Sequence, residues 1–277
     1  MENLIRGFKE NKAFRISSCL VFLLLAVTLL APVIAPYDPL EAIMRNANAA
    51  PSAEHLFGTD KLGRDVLSRI LYGASYSLSS VVGLVALIFV VGTTLGVIAG
   101  YSGGIVDTVI MRIADMMISF PGVILAIAIA GILGGSLFNA MVALLCVTWT
   151  KYARLARSMV LKIKKHDFVS AAVVSGGSPV HILWVHILPN ILPLMIITAA
   201  ADIGAMMMEL AGLSFLGLGA QIPMAEWGSM MSSGRSMIQT YPWVVLSPAI
   251  AIFISVAIFN LLGDTVRDYL DPKNSRL

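Results

Sequence analysis

Charge is what this sequence has least of. Only 13% of its 277 residues are Asp, Glu, Lys or Arg, about half the share of an ordinary soluble domain, near 25%. That scarcity excludes a chain kept in solution by a charged surface. The formal net charge of +3 carries no nucleic-acid signature, and no nucleic-acid partner is expected. Cysteine is almost missing too. Cys19 and Cys146 lie in apolar runs and form no CxxC or metal-ligand spacing, which excludes a disulfide framework or a zinc site. Both read as packing residues. Catalytic signatures are absent as well: no GxxxxGK[ST], HExxH or GxSxG run occurs. The chain therefore offers no cradle for ATP, no catalytic residues and no metal site, and any energy drawn from ATP has to enter through another subunit.

What the sequence does have is long apolar runs, 58% of it being hydrophobic with a mean hydropathy of +0.86. A bilayer asks for about 20 apolar residues per spanning helix. A basic start (Arg6, Lys9, Lys12, Arg15) precedes an apolar run from Ile16 to about Ala35. The run is longer than the 7–15 residues typical of a signal-peptide core, so a retained first span is expected. Residues 36–76 are mixed and polar, followed by a second span over about 77–100. Residues 103–119 read as an amphipathic helix at the interface or partly buried, with Asp107, Arg112 and Asp115 opposite Ile105, Val109, Ile113 and Met116. Further spans are expected near 191–213 and 244–262.

The stretch from Phe120 to Trp149, interrupted at Gly134-Gly135, fits either one span or two. Charge asymmetry decides. With two spans there, the N-terminal cluster, Arg112, the six cations from Lys151 to Lys165 and the C-terminal Arg267, Lys273 and Arg276 all share one side. Arg45, Lys61, Arg64, Arg69 and Arg235 lie on the other. Basic residues gather on the cytoplasmic side, so six spans with both termini cytoplasmic are expected.

Several short motifs stand outside the apolar runs. Ser170-Ala171-Ala172, then Gly176, then Leu188-Pro189 combine small residues that permit close approach, a glycine suited to a sharp turn and a proline that marks a helix boundary or kink. On the other side, His55 to Asp60 (HLFGTD) precedes Gly63-Arg64-Asp65, placing Gly58, Thr59, Asp60, Gly63, Arg64 and Asp65 together. Phe215 to Ala220 (FLGLGA), Glu226-Trp227-Gly228, Asn260 to Asp264 (NLLGD), Arg267-Asp268 and Leu270-Asp271-Pro272 complete the set.

In this order, over residues 15–273, the motifs resemble those of the ABC importer permeases of the dipeptide, oligopeptide and nickel branch, second-permease type. Ser170 stands where that family's coupling motif usually has glutamate, and His186 where an apolar residue is usual. The resemblance implies an all-α polytopic membrane protein of about six transmembrane helices with the type I, MetI-like permease fold. It implies a first helix and extracytoplasmic loop over 1–74, a permease core over 75–266 and a cytoplasmic tail over 267–277. It further implies ATPase coupling through Ser170, Ala171, Ala172, Gly176, Leu188 and Pro189. The implied partners are a second homologous permease, two ATPase subunits that bind ATP and Mg, an extracytoplasmic substrate-binding protein and the lipid bilayer. Nickel, free or chelated, and di- or oligopeptides are the cargoes it implies, moved by alternating access.

Several readings stay open. Asp60, Arg64 and Asp65 suit an exposed ion-pair network that either locks the loop or docks a receptor. Asp202 and Glu209, seven residues apart on one helix face, either line a translocation path or face a partner helix, since acidic groups at hydrocarbon depth seldom face lipid. Met206, Met207 and Met208 between them read as packing before soft-metal ligands. His166, His181 and His186 suit ring contacts to a partner. An ion-coupled transporter acting without an ATPase is the alternative function.

Overall fold

The structure, a computed structural model, describes residues 12–270, with side chains as far as Arg267. Arg6 and Lys9 of the basic start, the Asp268 side chain, and Asp271, Pro272, Lys273 and Arg276 lie outside the described residues. The described chain is helical, with a single isolated bridge between Thr59 and Asp65 as its extended pairing. The helices are α1 (Lys12–Ile34), α2 (Val66–Ser102), α3 (Gly104–Ile118), α4 (Gly122–Leu133), α5 (Leu137–Ile163), α6 (Asp167–Val174), α7 (Pro179–Phe215), α8 (Trp227–Gly234) and α9 (Trp243–Leu270).

α1, α2, α7 and α9 are long and apolar enough to cross a membrane, and α3 with α4, bent by 92° at their junction, makes a fifth candidate. Six is thus an approximate count. The break expected at Gly134-Gly135 separates α4 from α5, as two spans require. At 12 residues, α4 reaches about 18 Å, short of the ~30 Å hydrocarbon core. α5 is long enough at 27 residues, but Lys151, Arg154, Arg157 and Lys162 occupy its second half.

Two boundaries differ from the expected ones. α2 begins at Val66 rather than near Ser77, because Asp65 caps it: the Ser68 N–H donates to Asp65 Oδ2 at 2.8 Å. α7 begins at Pro179 rather than near Ile191. Ser178 is its N-cap, accepting from the His181 N–H at 3.3 Å, and Pro179 takes the first-turn position where a missing N–H costs nothing. Leu188-Pro189 therefore does not end a helix. Residues Leu183–Ile187 form a π-turn just before it. The wider turn accommodates Pro189, which cannot donate to the Val185 carbonyl, and Asn190 Nδ2 satisfies the His186 carbonyl at 2.6 Å.

The chain divides into two compact units. The first comprises Met1–Gly83, Ile129–Val142 and Ala200–Leu277. Its core joins Val66, Ile70, Ala74, Leu78 and Val81 of α2 with Met207, Leu210 and Leu213 of α7, Trp227 of α8 and Val244 of α9. The near-regular fours of the α2 residues put them on one helix face. α1 packs against α9, where Ser17 and Thr265 hydroxyls meet at 3.1 Å. α7 and α9 approach closely: a Cβ on Gly263 would lie 2.6 Å from Ala201 Cα.

The second unit comprises Leu84–Ala128 and Ala143–Ala199. Gly92, Gly96 and Gly100 of α2 form a small-residue ladder against α5. Cβ atoms there would lie 2.5 Å from Tyr152 Cβ, 2.8 Å from Ala156 Cβ and 2.9 Å from Val160 Cβ. Such ladders let membrane helices approach backbone to backbone. In α3 the apolar side faces outward, with Ile105 82% and Met116 59% exposed, and the acidic side turns to α5. That polarity suits a helix bathed in lipid rather than water.

Candidate functional site

The 36–65 loop is held by buried charge. Asp60 accepts from the Leu62 and Arg64 N–H groups at 2.8 and 3.1 Å and from Arg64 Nε at 2.7 Å. Arg69 Nε stands 3.6 Å from the same carboxylate, while its Nη1 donates to the Pro39 carbonyl at 2.8 Å. Asp65 pairs with His55 Nδ1 at 2.9 Å and accepts from the Ser68 hydroxyl at 2.7 Å. All five ionisable side chains are buried. This corrects the sequence reading in one way, since the network is not exposed, and it resolves the pairing: Arg64 partners Asp60, while Asp65 partners His55. His55, Ser68 and Arg69 were missed as members. The Asp at position 65 followed three residues later by Ser68 is the capping signal that could have found one of them.

Gly58 and Gly63 have φ of 70° and 75°, the left-handed region that favours glycine. A Cβ on Gly63 would overlap the Ile43 carbonyl, and one on Gly58 would lie 2.6 Å from the Ala49 carbonyl oxygen. Thr59 accepts from the Ala49 N–H at 2.8 Å through its hydroxyl, and its carbonyl accepts from Trp243 Nε1 at 3.3 Å. The whole motif is thereby tied to α9.

Glu226 is a second buried anchor. At 2% exposed, it is the N-cap of α8, accepting from the Gly228 and Ser229 N–H groups at 3.0 and 2.8 Å. Ser77 donates to it at 3.4 Å, and the neighbouring Trp227 Nε1 donates to the Ile70 carbonyl at 3.0 Å. Burial pushes the Glu226 carboxyl above the usual glutamate range, against the pull of the two backbone N–H groups. A group whose folded pKa is raised adds stability that is present below its unfolded pKa and lost as pH rises through the folded one. Thermal unfolding of wild type and Glu226→Gln, compared from about pH 4.5 upward, should show the wild type losing ground relative to the variant as pH rises. A difference independent of pH would rule out this assignment.

The Ser170–Pro189 segment is exposed over most of its length. Ser170 and Ala171 on α6 are exposed and Ala172 is half-buried; Gly176, with φ of 80°, makes the turn into α7; Leu188 is half-buried and Pro189 exposed. Large apolar side chains stand out around them, with Val174 88%, Trp184 68% and Val180 63% exposed. Val169, Ile182 and Ile187 are buried beneath and hold the segment's shape. The histidine rings contact each other and Phe168: His166–Phe168 centroids lie 5.6 Å apart, Phe168–His186 6.3 Å and His181–His186 5.9 Å.

In the same unit, Arg157 grips Asp107 with two bonds, Nη2 to Oδ2 being 2.6 Å, and Arg154 pairs with Asp115. These explain the acidic face of α3, whose partners the sequence reading did not identify. Bidentate pairing of this kind fixes orientation as well as distance. Asp202 and Glu209 are both half-buried on α7, while Ala205 and Gly212 near them are exposed and Met206 and Met207 are buried. Among the described residues no three His, Cys, Asp or Glu side chains converge as metal ligands do.

Apolar helices of spanning length, a bent helix pair and an exposed helix–turn–helix joined to a spanning helix define a polytopic membrane protein. Residues 92–276 match the family described as binding-protein-dependent transport system inner membrane component, and residues 2–51 match the N-terminal TM domain of oligopeptide transport permease C. The chain belongs to this family of ABC importer permeases. Among relatives, it is 44% identical to the dipeptide transport system permease protein DppC of Alkalihalophilus pseudofirmus, covering 97% of this chain and 88% of the relative. It is 40% identical to the nickel transport system permease protein NikC of Escherichia coli K12, covering 93% of each. It is 42% identical to the glutathione transport system permease protein GsiD of Pectobacterium atrosepticum, covering 97% and 89%. Its fold is similar to a chain of the MetNI methionine ABC transporter in inward-facing conformations, with TM-score 0.59 and 20% identity over 73% of this chain and 97% of that one. The MetI-like fold read from the motifs is borne out. The chain is a transport subunit, not an enzyme, and the relatives named above are ABC importer permeases, which gives the ion-coupled alternative no support.

Proposed function

We propose that this chain is one of two permease subunits of a peptide importer, with both termini cytoplasmic and the 36–65 loop outside. Two ATPase subunits, which carry the ATP and Mg, would grip the α6–α7 segment, and an extracytoplasmic binding protein would deliver cargo from the other side. The observation that carries this reading is the cluster of Val174, Val180 and Trp184, large apolar side chains left in the open on a segment whose underside is well packed. Exposed apolar patches on an ordered frame mark interaction sites, and an ATPase that closes on ATP has to push on something stiff. Ser170, Ala171, Ala172, Gly176, Leu188 and Pro189 shape the segment. Asp202 and Glu209 are the side chains we take to line the cargo path.

Val174→Glu tests the coupling. Val174 is almost fully exposed, so the change leaves the fold intact, and the chain should accumulate at its normal level. Cargo-stimulated ATP hydrolysis by the assembled transporter should fall to the basal rate. Unchanged stimulation would refute the assignment of this surface.

The cargo we favour is a small peptide. Relatives are named for dipeptide, D,D-dipeptide and glutathione transport, with nickel as the second reading through the nickel permease. Uptake of a labelled dipeptide and of radioactive nickel by cells lacking this gene separates the two. Loss of neither would sink both.

A further inference from the structure

A cavity of about 730 Å³ opens in the first unit where α1 ends and α2 begins. Its volume falls in the range typical of small-molecule sites, about 300–1,000 Å³, and far exceeds what a bare ion fills. Tyr37, Tyr72 and Tyr76 line it together with Asp38, Gln221 and Met224. Tyr72 and Tyr76 stand one turn apart on α2, which puts them on one helix face. Tyr37 is fixed from three sides: its N–H donates to Ser68 Oγ at 3.1 Å, its hydroxyl donates to the Glu54 carbonyl at 2.8 Å, and its ring lies 4.8 Å from that of His55.

Asp38 is the one charged side chain of the lining. One carboxylate oxygen accepts from the Leu40 N–H at 2.8 Å. Among the described residues no cation comes within ion-pair distance of it. Arg69, which donates to the carbonyl of the lining residue Pro39, is not itself part of the lining and is engaged by Asp60. Gln221 spends its amide N–H groups on the Gly217 and Gly219 carbonyls at 3.2 and 2.9 Å, which turns its oxygen into a free acceptor. The cavity thus presents an unpaired carboxylate, an amide oxygen and three phenol rings, and no positive charge of its own.

We propose that this cavity is a binding site for an organic ammonium group. Aromatic faces attract such cations through the ring quadrupole, and a carboxylate beside them supplies the counter-charge and the acceptor for any N–H. Anions are repelled by Asp38. A bare divalent metal would find one carboxylate where hard cations take six or more oxygens. Two sources carry the chemistry: the headgroup of an aminophospholipid at the end of a spanning helix, or a free amine in the surrounding fluid. The site is defined by its lining whichever side of the membrane it faces, so it stands apart from the orientation and cargo proposed above.

Photolabelling of the assembled transporter in phosphatidylglycerol nanodiscs tests it. One probe is phosphatidylethanolamine with a headgroup-proximal diazirine, controlled by phosphatidylglycerol carrying the same group. The other is a water-soluble aryl-azide trimethylammonium, controlled by its neutral tert-butyl isostere. We expect labelling of residues 32–40 and 72–76 by an ammonium probe to exceed its control by about fivefold or more, and to fall by a similar factor in Asp38→Asn and Tyr76→Ala. Labelling by the lipid probe assigns the lipid source, and labelling by the soluble probe assigns a free amine. Equal labelling by each ammonium probe and its uncharged or anionic control would overturn the proposal, a comparison made on wild type and independent of whether the variants fold.

Discussion

Asp60→Ala should be the most damaging single substitution in the 36–65 loop, reducing the chain to a fraction of its normal level in the membrane. Asp60 is the shared counter-charge of Arg64 and Arg69, and all three side chains are buried. Removing one partner of a buried pair leaves charge without compensation at a cost of about 3–5 kcal/mol. Here two guanidinium groups lose it at once, and the Leu62 and Arg64 N–H groups lose their acceptor. Asp60→Asn keeps the size but not the charge and should recover little. Arg64→Ala combined with Asp60→Ala should be less harmful than the sum of the two single changes, since the residues share one interaction. Chain level by immunoblot and thermal midpoint in detergent are the readouts. An Asp60→Ala protein as stable as wild type that has lost only its response to a binding protein would reverse the conclusion, making the loop a docking surface instead of a lock.

The second large effect is expected at Gly96. An alanine there gains about 1 kcal/mol of helix propensity, so on an isolated helix it would stabilise. In α2 its Cβ would press on the Ala153 carbonyl and lie 2.8 Å from Ala156 Cβ. Neither is the far end of a flexible side chain, so relief requires α2 and α5 to separate. Overpacking of this kind costs about 1–3 kcal/mol, and separation also threatens Gly92 and Gly100 on the same face. Gly96→Leu should prevent stable assembly altogether. Gly131→Ala on α4 is the matched control, because a Cβ there meets nothing within 4 Å. Equal thermal midpoints for Gly96→Ala and Gly131→Ala would show that the ladder is not a tight seam.

These two sites also mark how far the sequence could be read. Periodic apolar runs and charge asymmetry located α1, α2, α7 and α9, because the bilayer imposes a length and a polarity on each span. The gap between α4 and α5 was legible from two adjacent glycines. The ladder at Gly92, Gly96 and Gly100 was not read, although its four-residue spacing was there to see. Glycines in an apolar run are ambiguous until the facing helix is known. The charges of the loop were visible as residues but not as pairs. Asp65 is nearer Arg64 in sequence than Asp60 is, yet Asp65 is claimed by the start of α2, where free N–H groups compete for a carboxylate. Burial was the other missing fact, since a polar segment between two spans reads as exposed until its folding against Trp243 is seen. The start of α7 was misplaced for a similar reason: Pro189 reads as a boundary or a kink, and the π-turn before it lets the helix continue through it.

That π-turn gives α7 a mechanical character. Its five residues, Leu183–Ile187, hold a wider and weaker ring of hydrogen bonds than the turns on either side, and Pro189 removes a donor immediately after it. Bending stiffness is therefore lowest there, right beside Trp184 and Val180. A push delivered to those side chains meets a spring in series with a rod. A load placed on those side chains would bend α7 at this turn, at the cost of one already weak ring of hydrogen bonds, sooner than in the regular turns around it.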